Sequence, residues 1–203
     1  MKKAFLIPIS FALFMWMINV VQFVLGLNFG GLGVHPRDND SLIGILTSPL
    51  IHGNWEHLIS NTLPLLILGV ILFLTYEKIA ILIWLLNYIF TGLLVWLFAR
   101  GDTYHIGASG IIYGLASFLF FSGFFRMDIK AIAIASGVAI FYGGLIWGVL
   151  PIQPGVSWES HLFGGITGLA LSYLFRNKHK AVAIEQHENE ISTRKTFDDF
   201  LNQ

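Results

Sequence analysis

Six long apolar stretches, joined mostly by short polar turns, constrain this chain more than any other feature. Hydrocarbon offers no water to backbone N–H and C=O groups, so a segment crossing it must satisfy them internally, as a helix does. The stretches have 16 to 22 residues, close to the roughly 17–25 with which a helix crosses ~30 Å of hydrocarbon. The stretches are Ala4–Leu25, His57–Thr75, Ile79–Phe98, Ile106–Phe125, Ala131–Leu150 and Ser160–Phe175. A soluble globule is excluded, because 55% of the residues are hydrophobic, only 12% are charged and the mean hydropathy is +0.71. The expected architecture is therefore all-α, a polytopic bundle over residues 1–176 followed by a polar cytoplasmic tail over 177–203.

Lys2 and Lys3 precede the first stretch, as they would in a signal peptide. Its apolar run is longer than a typical signal core and no small-x-small cleavage site follows it, so it reads as a retained helix. An even number of spans puts both termini on one side. Lys2, Lys3, Lys78, Arg126, Lys130, Arg176, Lys178 and Lys180 flank that side, against Arg37 and Arg100 on the other. The positive-inside rule then makes the termini cytoplasmic, with a bacterial plasma membrane favoured. Spans two, four and six all start at the outer face. The long outer segment Gly26–Glu56 is rich in helix breakers, and its Leu42, Ile43, Ile45, Leu46 and Trp55 suit the membrane interface.

Two polar residues stand at the starts of spans four and six: Ser109 in Gly107-Ala108-Ser109-Gly110, and His161 in His161-x-x-Gly164-x-x-x-Gly168. Polar groups in hydrocarbon are costly unless paired, which makes them functional candidates. Gly107, Gly110 and Gly114 recur at spacings of three and four and form a smooth face, as do Gly164 and Gly168 with His161. Packing one glycine face on the other would bring Ser109 and His161 to the same depth, where an imidazole can activate a hydroxyl. Taken alone, Ser109 reads more readily as a small residue in a packing seam, and the His161 motif turns that balance. Near a helix N-terminus, an oxyanion beside it would meet N–H groups that lack intrahelical partners.

No carboxylate falls well inside spans two, four or six. Asp102 and Glu159 lie only near their outer ends, so a Ser–His dyad is expected rather than a triad. Tyr113, one turn beyond Ser109, either steadies the imidazole or fills the core. In His52-x4-His57-x3-Asn61, the last two share a helix face and both can donate to an oxyanion. No metal or cofactor is expected: His52 and His57 would stand about 140° apart on a helix, and no His-Glu-x-x-His occurs. The chain has no Cys, which excludes thiolate sites, and a net charge of +0, which gives no pointer to nucleic acid. His35 and His105 are expected to be solvated in outer loops, His179 and His187 to belong to the tail, and the tryptophans to fill the core or anchor the interface.

Together these residues resemble the rhomboid intramembrane serine proteases. The resemblance covers roughly residues 4–176 and rests on the three motifs in order: His52-x4-His57-x3-Asn61, Gly107-Ala108-Ser109-Gly110 with Tyr113, and His161-x2-Gly164-x3-Gly168. It implies a six-transmembrane-helix rhomboid-like bundle with Ser109 as nucleophile and His161 as base and acid. It also implies an oxyanion hole from His57, Asn61 and the Ser109 N–H, with His52 in a structural role. The substrates it implies are single-pass transmembrane proteins that reach a wet cavity sideways from the lipid bilayer. Many members carry Trp-Arg in the first loop, where this chain has Pro36-Arg37. An inactive rhomboid-like client-binding protein would typically lack the Ser or the His. A small transporter would need charges deep in several spans. The oligomeric state is left open by the sequence.

Overall fold

The computed structural model describes residues 2–152 and 155–177, so the expected tail lies outside the described residues except for Asn177, and His179 and His187 lie there with it. The chain forms α1 (Lys2–Val24), a short α2 (Gly44–Thr47), α3 (Trp55–Thr75), α4 (Ala80–Phe98), α5 (Ser109–Arg126), α6 (Ile129–Tyr142) and α7 (Trp158–Leu174). Among the described residues there is no strand beyond one isolated bridge between Val34 and His105.

Among the described residues, five segments are long and apolar enough to cross a bilayer: four helices and the stretch Ile129–Val149. The sixth expected span is α7, whose 17 residues rise about 25 Å at ~1.5 Å per residue. Leu13, Leu63, Leu85 and Phe141 are among many large apolar side chains left exposed around the bundle. A belt of that extent belongs against hydrocarbon rather than water.

Local sequence sets the helix ends. Asn54 caps α3, its side chain accepting the His57 N–H at 2.8 Å. At the other end of the bundle Met127 takes a left-handed conformation (φ 57°) and Asp128 accepts the Ala131 N–H at 2.8 Å, which turns α5 into α6 within two residues. Arg126 is buried at that turn. Its guanidinium lies 4.4 Å from the Tyr76 ring centre and donates to the Phe175 carbonyl beyond α7 at 3.0 Å.

α5 is the most enclosed helix and packs against α3, α4, α6 and α7. Leu58, Leu65, Leu68 and Leu72 of α3 meet Leu115, Phe118 and Leu119 of α5 in one core, with Met15 of α1 and Ile83 of α4. The fifth span departs from expectation. Instead of one helix over Ala131–Leu150, α6 stops at Tyr142 and a 3-10 helix continues over Gly143–Val149. Gly143-Gly144 marks the change: two glycines in succession weaken an α-helix, and no flanking side chain packs where their Cβ atoms would be.

Candidate active site

Ser109 is the first residue of α5 and His161 lies in the first turn of α7. Both are at least nine-tenths buried, and the Ser109 Oγ stands 2.8 Å from the His161 Nε2. The other ring nitrogen settles which of the two accepts. His161 Nδ1 lies 2.8 Å from the Gly148 carbonyl, an acceptor only, so Nδ1 carries the proton and Nε2 offers its lone pair to the hydroxyl. The Tyr113 ring stacks flat on the imidazole, 4.1 Å between centres and 4° between planes. Of its two expected roles, Tyr113 therefore takes the one against the imidazole.

Glycine makes this approach feasible. A Cβ on Gly164 would run into the Gly110 carbonyl oxygen, and one on Gly168 into that of Gly114. The two glycine faces thus meet backbone to backbone, as the spacing predicts. Gly107 has φ +107°, and a Cβ there would stand 2.6 Å from the His57 ring. Only glycine satisfies both demands at the turn into α5.

α3 supplies the facing wall. His57, Ser60, Asn61 and Pro64 line one cavity of about 880 Å³ with Ser109, Tyr113, Gly148 and His161. Asn61 is buried, and its Nδ2 donates one hydrogen to the His57 carbonyl at 2.7 Å, leaving the second for a group in the cavity. His52 precedes α3, so the helical separation expected from His57 does not apply. Their rings pack edge to face at 4.8 Å. His52 Nε2 accepts the Ala108 N–H at 3.3 Å, which ties it to the peptide ahead of Ser109.

Comparison with known proteins gives the family. The rhomboid domain profile matches residues 39–178. The chain belongs to the rhomboid family. An uncharacterized protein of Mycobacterium tuberculosis (strain ATCC 25618 / H37Rv) is 34% identical over 178 residues, 82% of this chain and 72% of its own length. One from Mycobacterium leprae is 34% identical over 177 residues, 82% of this chain and 69% of its own. A protein of Acanthamoeba polyphaga mimivirus whose name places it among the rhomboids is 26% identical over 165 residues, 78% of this chain and 86% of its own.

This rhomboid is a multi-pass membrane protein whose first loop is folded rather than loose. Arg37, at φ 62°, donates to the carbonyls of Ala99 at 2.7 Å and Leu97 at 3.4 Å, and so caps the end of α4. The arginine of Pro36-Arg37 is therefore a solvent-exposed brace between the loop and α4, and Leu42, Ile43 and Leu46 of the same loop are exposed too. His105 is not solvated as expected. It is buried, with Nδ1 2.5 Å from the Ser157 hydroxyl and Nε2 3.1 Å from the Arg100 carbonyl, and burial lowers its pKa. Glu159 is also buried, 3.1 Å from Arg100 Nε. Three residues of this end escaped the sequence reading. Gly148 acts through a carbonyl, which no residue type announces. Asn19 and Gln22 were legible, as two amides within an otherwise apolar span.

Proposed function

We propose that this rhomboid is an intramembrane serine endopeptidase that cleaves single-pass transmembrane proteins near the outer membrane face. The observation that carries the reading is the 2.8 Å contact between the Ser109 hydroxyl and an unprotonated His161 Nε2 inside a membrane bundle. A hydroxyl is a weak nucleophile until a base within hydrogen-bond reach takes its proton. Ser109 Oγ attacks the scissile carbonyl as its proton passes to His161 Nε2. The resulting imidazolium is held by the Gly148 carbonyl on Nδ1 and by the Tyr113 face. The oxyanion is met by the Ser109 N–H, by His57 and by the free Asn61 Nδ2 hydrogen. His161 then returns the proton to the leaving amine, and water hydrolyses the acyl-enzyme by the same route. Gly107, Gly164 and Gly168 set the helix approach, and His52 holds the turn into α5.

The cavity joins these groups to loops at one end of the bundle. Charge asymmetry supports assigning that end to the outside, with cytoplasmic termini in a bacterial plasma membrane. The test is cleavage of a generic single-pass substrate by purified protein in liposomes, beside Ser109→Ala. Wild type should form a cleavage product that the variant does not. Equal cleavage by both proteins, or none by either across several substrates, contradicts the protease reading and favours a client-binding relative.

A further inference from the structure

α1 sends two buried amides toward the site, and the chemistry above uses neither. Asn19 is fully enclosed and Gln22 is 5% exposed, one turn apart on the same helix. Asn19 Oδ1 accepts the His52 N–H at 2.8 Å, while its Nδ2 donates to the Leu50 carbonyl at 2.7 Å and the Met15 carbonyl at 2.7 Å. Gln22 Nε2 donates to the His52 carbonyl at 2.9 Å, and its Oε1 accepts the Phe29 N–H at 3.0 Å. Both backbone groups of His52 are therefore gripped from α1. Amides commonly tie membrane helices together, but these two both close on the backbone of one histidine, one on its N–H and one on its carbonyl.

The ring of that histidine carries this hold onward. Its Nε2 accepts the N–H of Ala108, the residue between Gly107 (φ +107°) and Ser109. Gly107 has backbone freedom that other residues lack; its own N–H is held by the Ser48 carbonyl at 2.8 Å, and the next amide, that of Ala108, is held by His52.

We propose that Asn19 and Gln22 are positioning residues for Ser109: they fix His52, which fixes the Ala108 amide and so aims the first turn of α5 into the cavity. The consequence for rate rests on Ser109 being the nucleophile. His52 must be neutral for Nε2 to accept, and burial pushes its pKa from 6.5 down to about 3. A misplacement of ~1 Å at a reacting group costs on the order of 100-fold in rate, so a hold this remote from the reacting atoms still reaches the chemistry.

The experiment uses the full chain in detergent, with Asn19→Leu and Gln22→Leu beside Trp16→Phe. Trp16 lies one turn earlier on α1 and donates to Thr62 Oγ1 at 2.8 Å, a tether that touches neither His52 nor Ala108. Hydrogen exchange at the Ala108 amide is read with the fluorophosphonate labelling rate of Ser109 and with kcat and KM. In the two amide variants, Ala108 exchange rises about tenfold or more and labelling and kcat fall roughly 10- to 100-fold, with KM little changed. Trp16→Phe lowers thermal stability and leaves Ala108 exchange and kcat at the wild-type values. Wild-type Ala108 protection in the amide variants overturns the proposal. So does an equal loss of labelling in Trp16→Phe at matched stability. If wild-type protein shows no Ser109-dependent labelling, the protease reading fails, and the exchange measurement still decides the positioning claim.

Discussion

At the scale of single residues, the proposed chemistry separates groups that would react from groups that hold them. Tyr113 holds: its contribution is a flat ring on the His161 imidazole. Tyr113→Phe keeps the ring, so kcat should stay within about threefold of wild type. Tyr113→Leu removes a stacking contact worth about 0.5–1.5 kcal/mol, so kcat should fall roughly 2- to 10-fold. Equal steady-state rates for both variants would remove the stack from the account. Protonation acts through two histidines. His161 must be unprotonated to accept from Ser109, so activity falls on acidification, and a flat profile from neutral to mildly acidic pH contradicts it as base. His52 acts on stability, because its folded pKa of about 3 lies below the unfolded 6.5. The unfolded chain binds more protons between those values, so this stability is complete above the unfolded pKa and is lost as pH falls toward the folded one. Thermal melts in detergent should show wild type losing more stability over that window than His52→Asn. Ser109, His161, His57 and Asn61 were legible because a polar side chain in an apolar run is conspicuous. His105 was misread because a histidine in a loop sequence says nothing about the Val34 bridge and the Ser157 hydroxyl that enclose it.

At the scale of helices and turns, backbone geometry decides more than composition. The glycine faces of α5 and α7 were readable from their spacing. Gly164→Ala should destabilise the protein by about 1–3 kcal/mol, since the new methyl meets the Gly110 backbone rather than a side chain that can turn away. An unfolding temperature equal to wild type would contradict the packing. The 3-10 segment Gly143–Val149 was not readable, because its apolar sequence also suits a continued α-helix. Yet this segment delivers the carbonyl that sets the His161 tautomer. A Cβ on Gly148 would overlap the Tyr113 hydroxyl and approach His161 Nδ1 at 3.1 Å. Gly148→Val should therefore lower kcat by about tenfold or more, a loss that steady-state cleavage rates would reveal. Unchanged turnover would mean that the carbonyl does not matter.

At the scale of the whole molecule, the bundle brings distant parts of the chain to one end and leaves an apolar belt around the rest. The Arg100–Glu159 pair and the Arg100 bond to the Val156 carbonyl, at 3.2 Å, tie the loop after α4 to the segment that launches α7. Arg100 is partly exposed, so the ion pair itself contributes little, and Arg100→Gln should cost about 1–2 kcal/mol, most of it from stranding the buried Glu159. The double variant with Glu159→Gln should cost less than the two single losses added, as melts of the four proteins would show. The long apolar helices of the bundle were visible in hydropathy alone, since bilayer thickness fixes helix length. What joins the spans across the site was not, because it runs largely through backbone amides and carbonyls. The most direct test of the account is fluorophosphonate labelling of the full chain in liposomes, for wild type, Ser109→Ala and His161→Ala. Ser109 should take the label in wild type, and both variants should lose it. Labelling that persists without His161, or a folded wild type that takes no label, would contradict the proposed chemistry.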